Sequence, residues 1–219
     1  MSIQQYPNLL SSEETDQILS WLENRPYTKE KYAPGPDSTD ILHYRNKNID
    51  FHLPDSVVRQ IVFPKLSELL QVPDLTPTHS AFLESHYPFS LHVDTVKTFE
   101  NKQFSSTNGQ SNDRAVLIAL NESVNFQTIF FDLHADDLDQ YYEKIPNMIP
   151  DLPAPMYDNV NDLGHLPNKA RNLLQHYGID RAEGVTWKKG MALSWSRQQM
   201  HCSSNFYNKG IKQALIMFF

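Results

Sequence analysis

The sequence predicts a mainly β protein with flanking helices, folded as a two-sheet jelly roll. Three observations predict it. The first 75 residues carry most of the helical periodicity, and from Thr76 onward the apolar period switches from helix to strand. The later strands are short and separated by polar turns, and a long interruption over residues 133–182 parts them, as the crossovers of a jelly roll would. A length of 219 residues fits one domain, 1–219, with enough chain to bury a core. Residues 1–75 then serve as N-terminal supporting helices, and 133–182 is an insertion of the kind that often carries specificity.

The elements follow in order. Ser11-Ser12-Glu13-Glu14 is a capping-box pattern, and Ile18, Leu19, Trp21 and Leu22 follow at helical spacing, so a helix starts here and ends before Arg25-Pro26. Tyr27 to Asp40 contains Pro34-Gly35-Pro36 and reads as a loop. Ile41 to Arg45 and Ile49 to Leu53 read as short strands joined by a turn, with His43 and His52 as ordinary strand residues. Pro54-Asp55 opens a second helix, apolar at Val58, Ile61, Val62, Leu66, Leu69 and Leu70, with a kink expected at Pro64. Strands are expected over Thr78–Tyr87, Ser90–Thr95, Arg114–Leu120 and Gln127–Asp132. Further strands follow over Gly184–Lys188, Met191–Trp195, a run through His201, and Ile211–Phe219. Asn101 to Asp113 is polar and aperiodic and reads as an exposed loop at the mouth of a site; a further helix is expected around Lys169–His176.

Composition narrows the function. The net charge is −7 and no basic block occurs, which argues against nucleic acid or an anionic membrane as partner and for a small molecule. The N-terminus lacks a charged and apolar leader pattern, and no segment reaches bilayer length, so a cytoplasmic location is expected. Cys202 is the sole cysteine, which excludes an internal disulfide and any cysteine-cluster metal site. A metal here would need nitrogen and oxygen ligands.

His92-Val93-Asp94 offers two of them. In an extended strand, residues two apart project from one face, so an imidazole and a carboxylate aim at one point. A distant His201 would complete a two-His-one-carboxylate facial triad, the set that binds ferrous iron and leaves open positions. The spacing is a weak signal, since a His-x-Asp pair is expected by chance roughly once in such a chain. His134-Ala135-Asp136 repeats it, within an acidic run that reads as a solvated helix start.

The last strand carries a second signal. It is apolar on both faces, yet Lys212 shares a face with Ala214, Ile216 and Phe218. A buried ammonium without a partner costs several kcal/mol. Either something anionic meets it, from the protein or a ligand, or the amine lies in water at a frayed strand start.

From Thr78 to Phe219 the chain resembles the Fe(II)- and 2-oxoglutarate-dependent oxygenases, of the prolyl-hydroxylase-like or phytanoyl-hydroxylase-like type. The features that carry the resemblance come in order: His92-Val-Asp94, a polar loop, Arg114-Ala-Val-Leu-Ile-Ala-Leu-Asn121, Asn125 to Phe131, Lys189-Gly190-Met-Ala-Leu-Ser-Trp195, His201, and a basic residue eleven positions on at Lys212. The resemblance implies a double-stranded β-helix (cupin-like jelly roll). It implies His92, Asp94 and His201 as ligands of Fe(II), and it favours His92 over His134 because the family's pair precedes the Arg114 strand. It also implies 2-oxoglutarate as cosubstrate, its distal carboxylate on Lys212, with Lys209 as a competitor because many relatives use Arg. The paired glycines often found near Phe126-Gln127-Thr128 are missing here. Asp94 fills the position that a halide takes in halogenating relatives, which implies hydroxylation or a related oxidation.

On that resemblance O2 is the oxidant, succinate and carbon dioxide are products, and ascorbate assists. Metal occupancy is expected to fall below about pH 6, where imidazole protonates. Tyr87 and Thr128 are candidates to hydrogen-bond 2-oxoglutarate, or else packing residues. Arg197 is a candidate for an acidic group of the substrate, or else a surface residue on a turn. Cys202 should point away from His201 as a small buried hydrophobe, and Trp195, Phe130 and Phe131 read as core. The alternative function is a jelly-roll protein that binds a metal or ligand without redox chemistry.

Overall fold

The computed structural model describes residues 3–34, 40–50, 56–71, 76–89, 91–94, 114–134, 163, 166, 174 and 182–219. Its strands are β1 (Gln4–Tyr6), β2 (Lys29–Pro34), β3 (Asp40–Asn48), β4 (His79–Ser85), β5 (Arg114–Ala119), β6 (Gln127–His134), β7 (Ala182–Thr186), β8 (Ala192–Ser196), β9 (Gln199–Ser203) and β10 (Lys212–Phe218). Two helices, α1 (Ser12–Glu23) and α2 (Val57–Leu70), complete the described elements. The strands form a seven-stranded antiparallel sheet in the order β1-β8-β5-β10-β4-β3-β2 and a three-stranded antiparallel sheet in the order β7-β6-β9.

The alternation of side chains along the strands sorts the apolar residues into three layers. Phe82, Val116, Ile118, Leu215 and Met217 face the helices and pack with Ile18 and Leu22 of α1 and Val58, Val62 and Leu66 of α2. The opposite face of the same strands turns Leu117, Leu193, Trp195 and Ala214 toward Phe130, Val185 and Trp187 of the smaller sheet. Behind the smaller sheet, Ile129, Phe131, Leu133, Met200 and Cys202 form a third cluster. Each fully buried large side chain contributes about 1.5–3 kcal/mol of transfer free energy. The middle layer is where the sheets diverge enough to leave a cavity.

The α1 capping box forms as the sequence predicts: Glu14 N–H donates to Ser11 Oγ at 3.1 Å and Ser11 N–H to Glu14 Oε2 at 2.8 Å. The second helix starts at the N-cap Ser56 and runs through Pro64 to a left-handed cap at Gln71 (φ 55°). Pro54 and Asp55 lie outside the described residues.

Four expectations need correction. Lys29–Pro34 is a strand rather than part of a loop; as an edge strand exposing Lys29, Glu30 and Lys31 it carries no apolar alternation to reveal it. β3 is one continuous strand through Asn46 and Lys47, where a turn was expected. The reason is tertiary: Lys47 is buried, its Nζ donates to Leu22 O at the end of α1 (2.6 Å), and the Tyr27 ring lies 4.4 Å away. His134 closes β6, opposite Gln199 of β9, instead of starting a helix; Asp136 lies outside the described residues. Residues 91–94 form no extended strand and make a single β-bridge. The expected strand at 51–53, the loop Asn101 to Asp113 and nearly all of 133–182 lie outside the described residues. No helix among the described residues is long and apolar enough to cross a membrane.

Gly190 ties the N-terminal layer to the sheet. Its carbonyl accepts from Leu10 N–H (2.9 Å) and its N–H donates to Ala119 O (2.8 Å), with φ at +82°. A Cβ there would stand 2.2 Å from Leu10 O. Gly190→Ala should therefore destabilise the fold by at least about 2 kcal/mol, read as a lower urea midpoint at unchanged m.

Candidate metal centre and adjoining cavity

Phe89 and residues 91–94 run antiparallel to β9 and are fastened to it and to the turn before it by main-chain bonds. Ser203 N–H donates to Phe89 O (3.2 Å), His92 and His201 exchange N–H···O bonds at 3.0 Å each, and Asp94 N–H donates to Arg197 O (2.9 Å). One bridge suffices to set the alternation: Leu91 and Val93 pack on the outer apolar cluster, so His92 and Asp94 turn inward. His201, directly opposite His92, joins them.

The three side chains converge. Their ligand atoms all lie within 4.8 Å of one another. His92 Nε2 is 3.9 Å from Asp94 Oδ1, and His201 Nε2 is 3.7 Å from Asp94 Oδ2, both too long for hydrogen bonds. His201 Nδ1 sits 2.9 Å from Gln199 O, and because a carbonyl only accepts, Nδ1 carries the proton and Nε2 is left with its lone pair. Lone pair and carboxylate thus face each other, an arrangement that a cation between them satisfies. Facial ligands on bonds of about 2.0–2.2 Å stand about 3 Å apart, so a bound ion would draw these donors together by about 1 Å. The donor set of two imidazoles and one carboxylate fits ferrous iron.

The residues around the triad hold it in place. Gln199 is buried, and its side-chain amide donates to the carbonyls of Phe131 and Leu133 where β6 bulges, fixing the main chain that orients His201. Trp195 Nε1–H donates to Asp94 Oδ2 at 3.1 Å. The sequence reading left Trp195 in the core, with Phe130 and Phe131. Phe130 does pack there, edge-on to Trp195, and Phe131 is buried behind the smaller sheet, but Trp195 also lines the cavity and touches a triad member. Only the facing of β8 in the large sheet against the triad across the cavity reveals this.

A cavity of about 250 Å³ opens from the triad between the two sheets. At its far wall stands Lys212, the first residue of β10 and 3% exposed, so the frayed-end reading is excluded. Its Nζ donates to Gln127 O (3.0 Å) and lies 3.9 Å over the Trp187 ring and 5.2 Å from that of Phe206. No carboxylate among the described residues pairs with it. Burial pushes its ammonium down to about 7, only weakly opposed by the nearby Cys202 thiol, whose own pKa burial raises. Thr128 lines the same wall; its Oγ1 accepts from Trp187 Nε1–H (2.9 Å), which leaves the hydroxyl proton to donate.

Other candidates stand elsewhere. Lys209 is exposed, with Nζ on Asn205 O at 3.3 Å, and is not part of the cavity wall. Tyr87 packs against His43 and Tyr207 outside the wall; the tyrosine that lines it is Tyr44. Tyr44 was invisible in the sequence, because it reaches the site through the register Tyr44–Ser85–Lys212 across three adjacent strands. Arg197 lies outside the wall too: Nη2 reaches Asp94 O at 3.5 Å and the guanidinium covers the Phe218 ring at 4.8 Å. Cys202 is buried in the third apolar cluster as expected.

No protein-family model matches the sequence, and no curated protein does. Solved structures do match in fold. The non-haem α-ketoglutarate-dependent carbocyclase SnoK from nogalamycin biosynthesis is 14% identical with a TM-score of 0.58, over 98% of this chain and 78% of that one. HygX from Streptomyces hygroscopicus, with nickel and 2-oxoglutarate bound, is 13% identical with a TM-score of 0.56, over 98% and 81%. The epimerase SnoN in complex with Fe3+, α-ketoglutarate and nogalamycin RO is 11% identical with a TM-score of 0.55, over 98% and 77%. At such identities the likeness speaks for architecture. This chain has the jelly-roll fold of the iron- and 2-oxoglutarate-dependent enzymes.

Proposed function

We propose that the protein is an Fe(II)- and 2-oxoglutarate-dependent oxygenase that oxidises a small molecule. The observation that carries this reading is a pairing inside one cavity: a cation-seeking triad of His92, Asp94 and His201, and a buried lysine amine, Lys212, without an anionic partner among the described residues. A dianion with a chelating keto-acid head satisfies both ends. When bound, ferrous iron and 2-oxoglutarate supply an oxidising chemistry in which O2 converts 2-oxoglutarate to succinate and carbon dioxide while a C–H bond of the substrate is oxidised.

The chain's own residues do the rest. His92, Asp94 and His201 hold the metal, with Trp195 fixing the Asp94 carboxylate and Gln199 fixing the His201 ring. Lys212 and the Thr128 hydroxyl orient the distal carboxylate. Leu83, Phe89, Leu117, Ile216 and Phe218 wall the cavity and exclude water. Small molecules in the related folds, such as nogalamycin RO in SnoN, support a small-molecule substrate for this chain as well.

Added Fe(II), 2-oxoglutarate and ascorbate should give O2 uptake with succinate release at a slow rate even without substrate, measured by oxygen electrode and succinate assay. His201→Ala or Asp94→Ala should abolish both. Ligand binding with no O2 uptake would instead identify a binding protein without redox chemistry. Trp195→Phe should keep the fold and weaken metal affinity about 10–100-fold, measured by metal titration.

Lys212→Met should lose 2-oxoglutarate binding while raising stability. The sign follows from the lowered pKa: between about 7 and the ordinary 10.5 the unfolded chain holds a proton that the folded chain lacks, so wild-type stability rises with pH across that window. Below it the full burial cost remains. The Tm gain of the methionine variant should therefore be largest near neutral pH and shrink on going toward pH 10.

A further inference from the structure

The wall opposite the triad holds a lysine where an arginine would be permanently charged, and the difference has a thermodynamic consequence. Lys212 stands on the central strand β10, between β4 and β5, and is 3% exposed, with its side chain on the cavity wall. Its described contacts are one carbonyl, Gln127 O, and the faces of Trp187 and Phe206.

The titratable groups around it supply no counter-charge. On β9, Cys202 is held as a neutral thiol by burial, and His201 belongs to the triad. Tyr44 of β3 lines the cavity and is no carboxylate. Asp94 and His92 lie at the triad end. The acid nearest in sequence to the lysine's partner Ser85 is Glu84 of β4, which turns to the opposite face of the sheet. There Arg45 (2.6 Å), His86 (2.8 Å) and Tyr27 (3.0 Å) occupy it. A metal on the triad adds positive charge to the same cavity.

Resting on the oxygenase reading, we propose that Lys212 takes up its proton together with 2-oxoglutarate: a neutral amine in the empty cavity, an ammonium in the loaded one. Capture of the cosubstrate is thereby coupled to proton uptake and weakens as the pH rises. The distal carboxylate provides the charge that makes protonation favourable, and the proton provides the charge that makes carboxylate binding favourable. Cosubstrate affinity becomes a readout of local pH, through a lysine that lies beyond the metal ligands.

The test is calorimetric titration of 2-oxoglutarate into the full chain loaded with Zn(II), in pairs of buffers of different ionisation enthalpy. The wild type should take up about one proton per ligand near pH 8.5 and only about 0.2 near pH 6.5, with Kd rising about tenfold per pH unit above neutrality. Lys212→Arg should bind with no such uptake and a flat pH profile, because guanidinium does not deprotonate. Should that variant fail to fold, the Lys212 side-chain 13C resonance of the wild type, identified by its loss in Lys212→Met, gives the same answer. Its midpoint should lie near 7 without 2-oxoglutarate and move up by at least about three pH units with it. Binding without excess proton uptake, or an ordinary lysine titration in the empty protein, would overturn this inference and leave the oxygenase reading standing. Absence of any 2-oxoglutarate binding would overturn both.

Discussion

The candidate site depends on a short main-chain splice that joins Phe89, His92 and Asp94 to β9 and the turn before it. Neither partner would place a metal ligand correctly alone: His92 and Asp94 belong to a segment with one bridge, and His201 to a buried strand. Four main-chain hydrogen bonds, at Phe89, His92, His201 and Asp94, convert three residues spread over more than a hundred positions into one cluster. Each such bond contributes about 1 kcal/mol net, yet together they fix which face each side chain presents. The side-chain contacts from Trp195 and Gln199 act on a geometry that the backbone has already decided.

Much of this was legible in sequence, and the misses share a cause. The capping box at Ser11, the apolar spacing of α1 and α2, and the apolar character of β5, β6, β8 and β10 are local signals, and the structure agrees with them. The edge strands β1 and β2 are polar or very short, so alternation could not announce them. Lys47 and His134 were misread because their settings are tertiary: the end of α1 for one, the bulge opposite Gln199 for the other. For the site, the convergence of His92, Asp94 and His201 followed from alternation plus a family order of motifs. Tyr44 and Trp195 did not follow, since only strand register brings them to the cavity. Tyr87, open between a cosubstrate contact and a packing role in sequence, turns its ring toward His43 and Tyr207.

The cavity concentrates interactions that are unfavourable for the ligand-free fold. A lone pair faces a carboxylate at the triad, and the buried amine of Lys212 lies over two aromatic rings with no carboxylate partner among the described residues. The rest of the large sheet treats charge differently: Glu84 is surrounded by Arg45, His86 and Tyr27, and although burial opposes it, these hydrogen bonds together lower its pKa. Glu84 is satisfied by protein neighbours, whereas the triad and Lys212 face a cavity. That contrast, on two faces of the same strands, separates structural from functional burial more clearly than any single residue does.

The position of β10 also bears on how the molecule assembles. β4 and β5 have no mutual pairing; β10 lies between them and hydrogen-bonds to both along its length. Ser85 closes β4 and Arg114 opens β5, but the strand that joins them begins only at Lys212, long after either has been synthesised. The large sheet must wait as two unjoined halves with open edges until that last seam is sewn, an arrangement of high contact order that favours slow folding. During that wait the exposed edges are open to pairing with other chains, and the last strand to be made is the one that closes both of them.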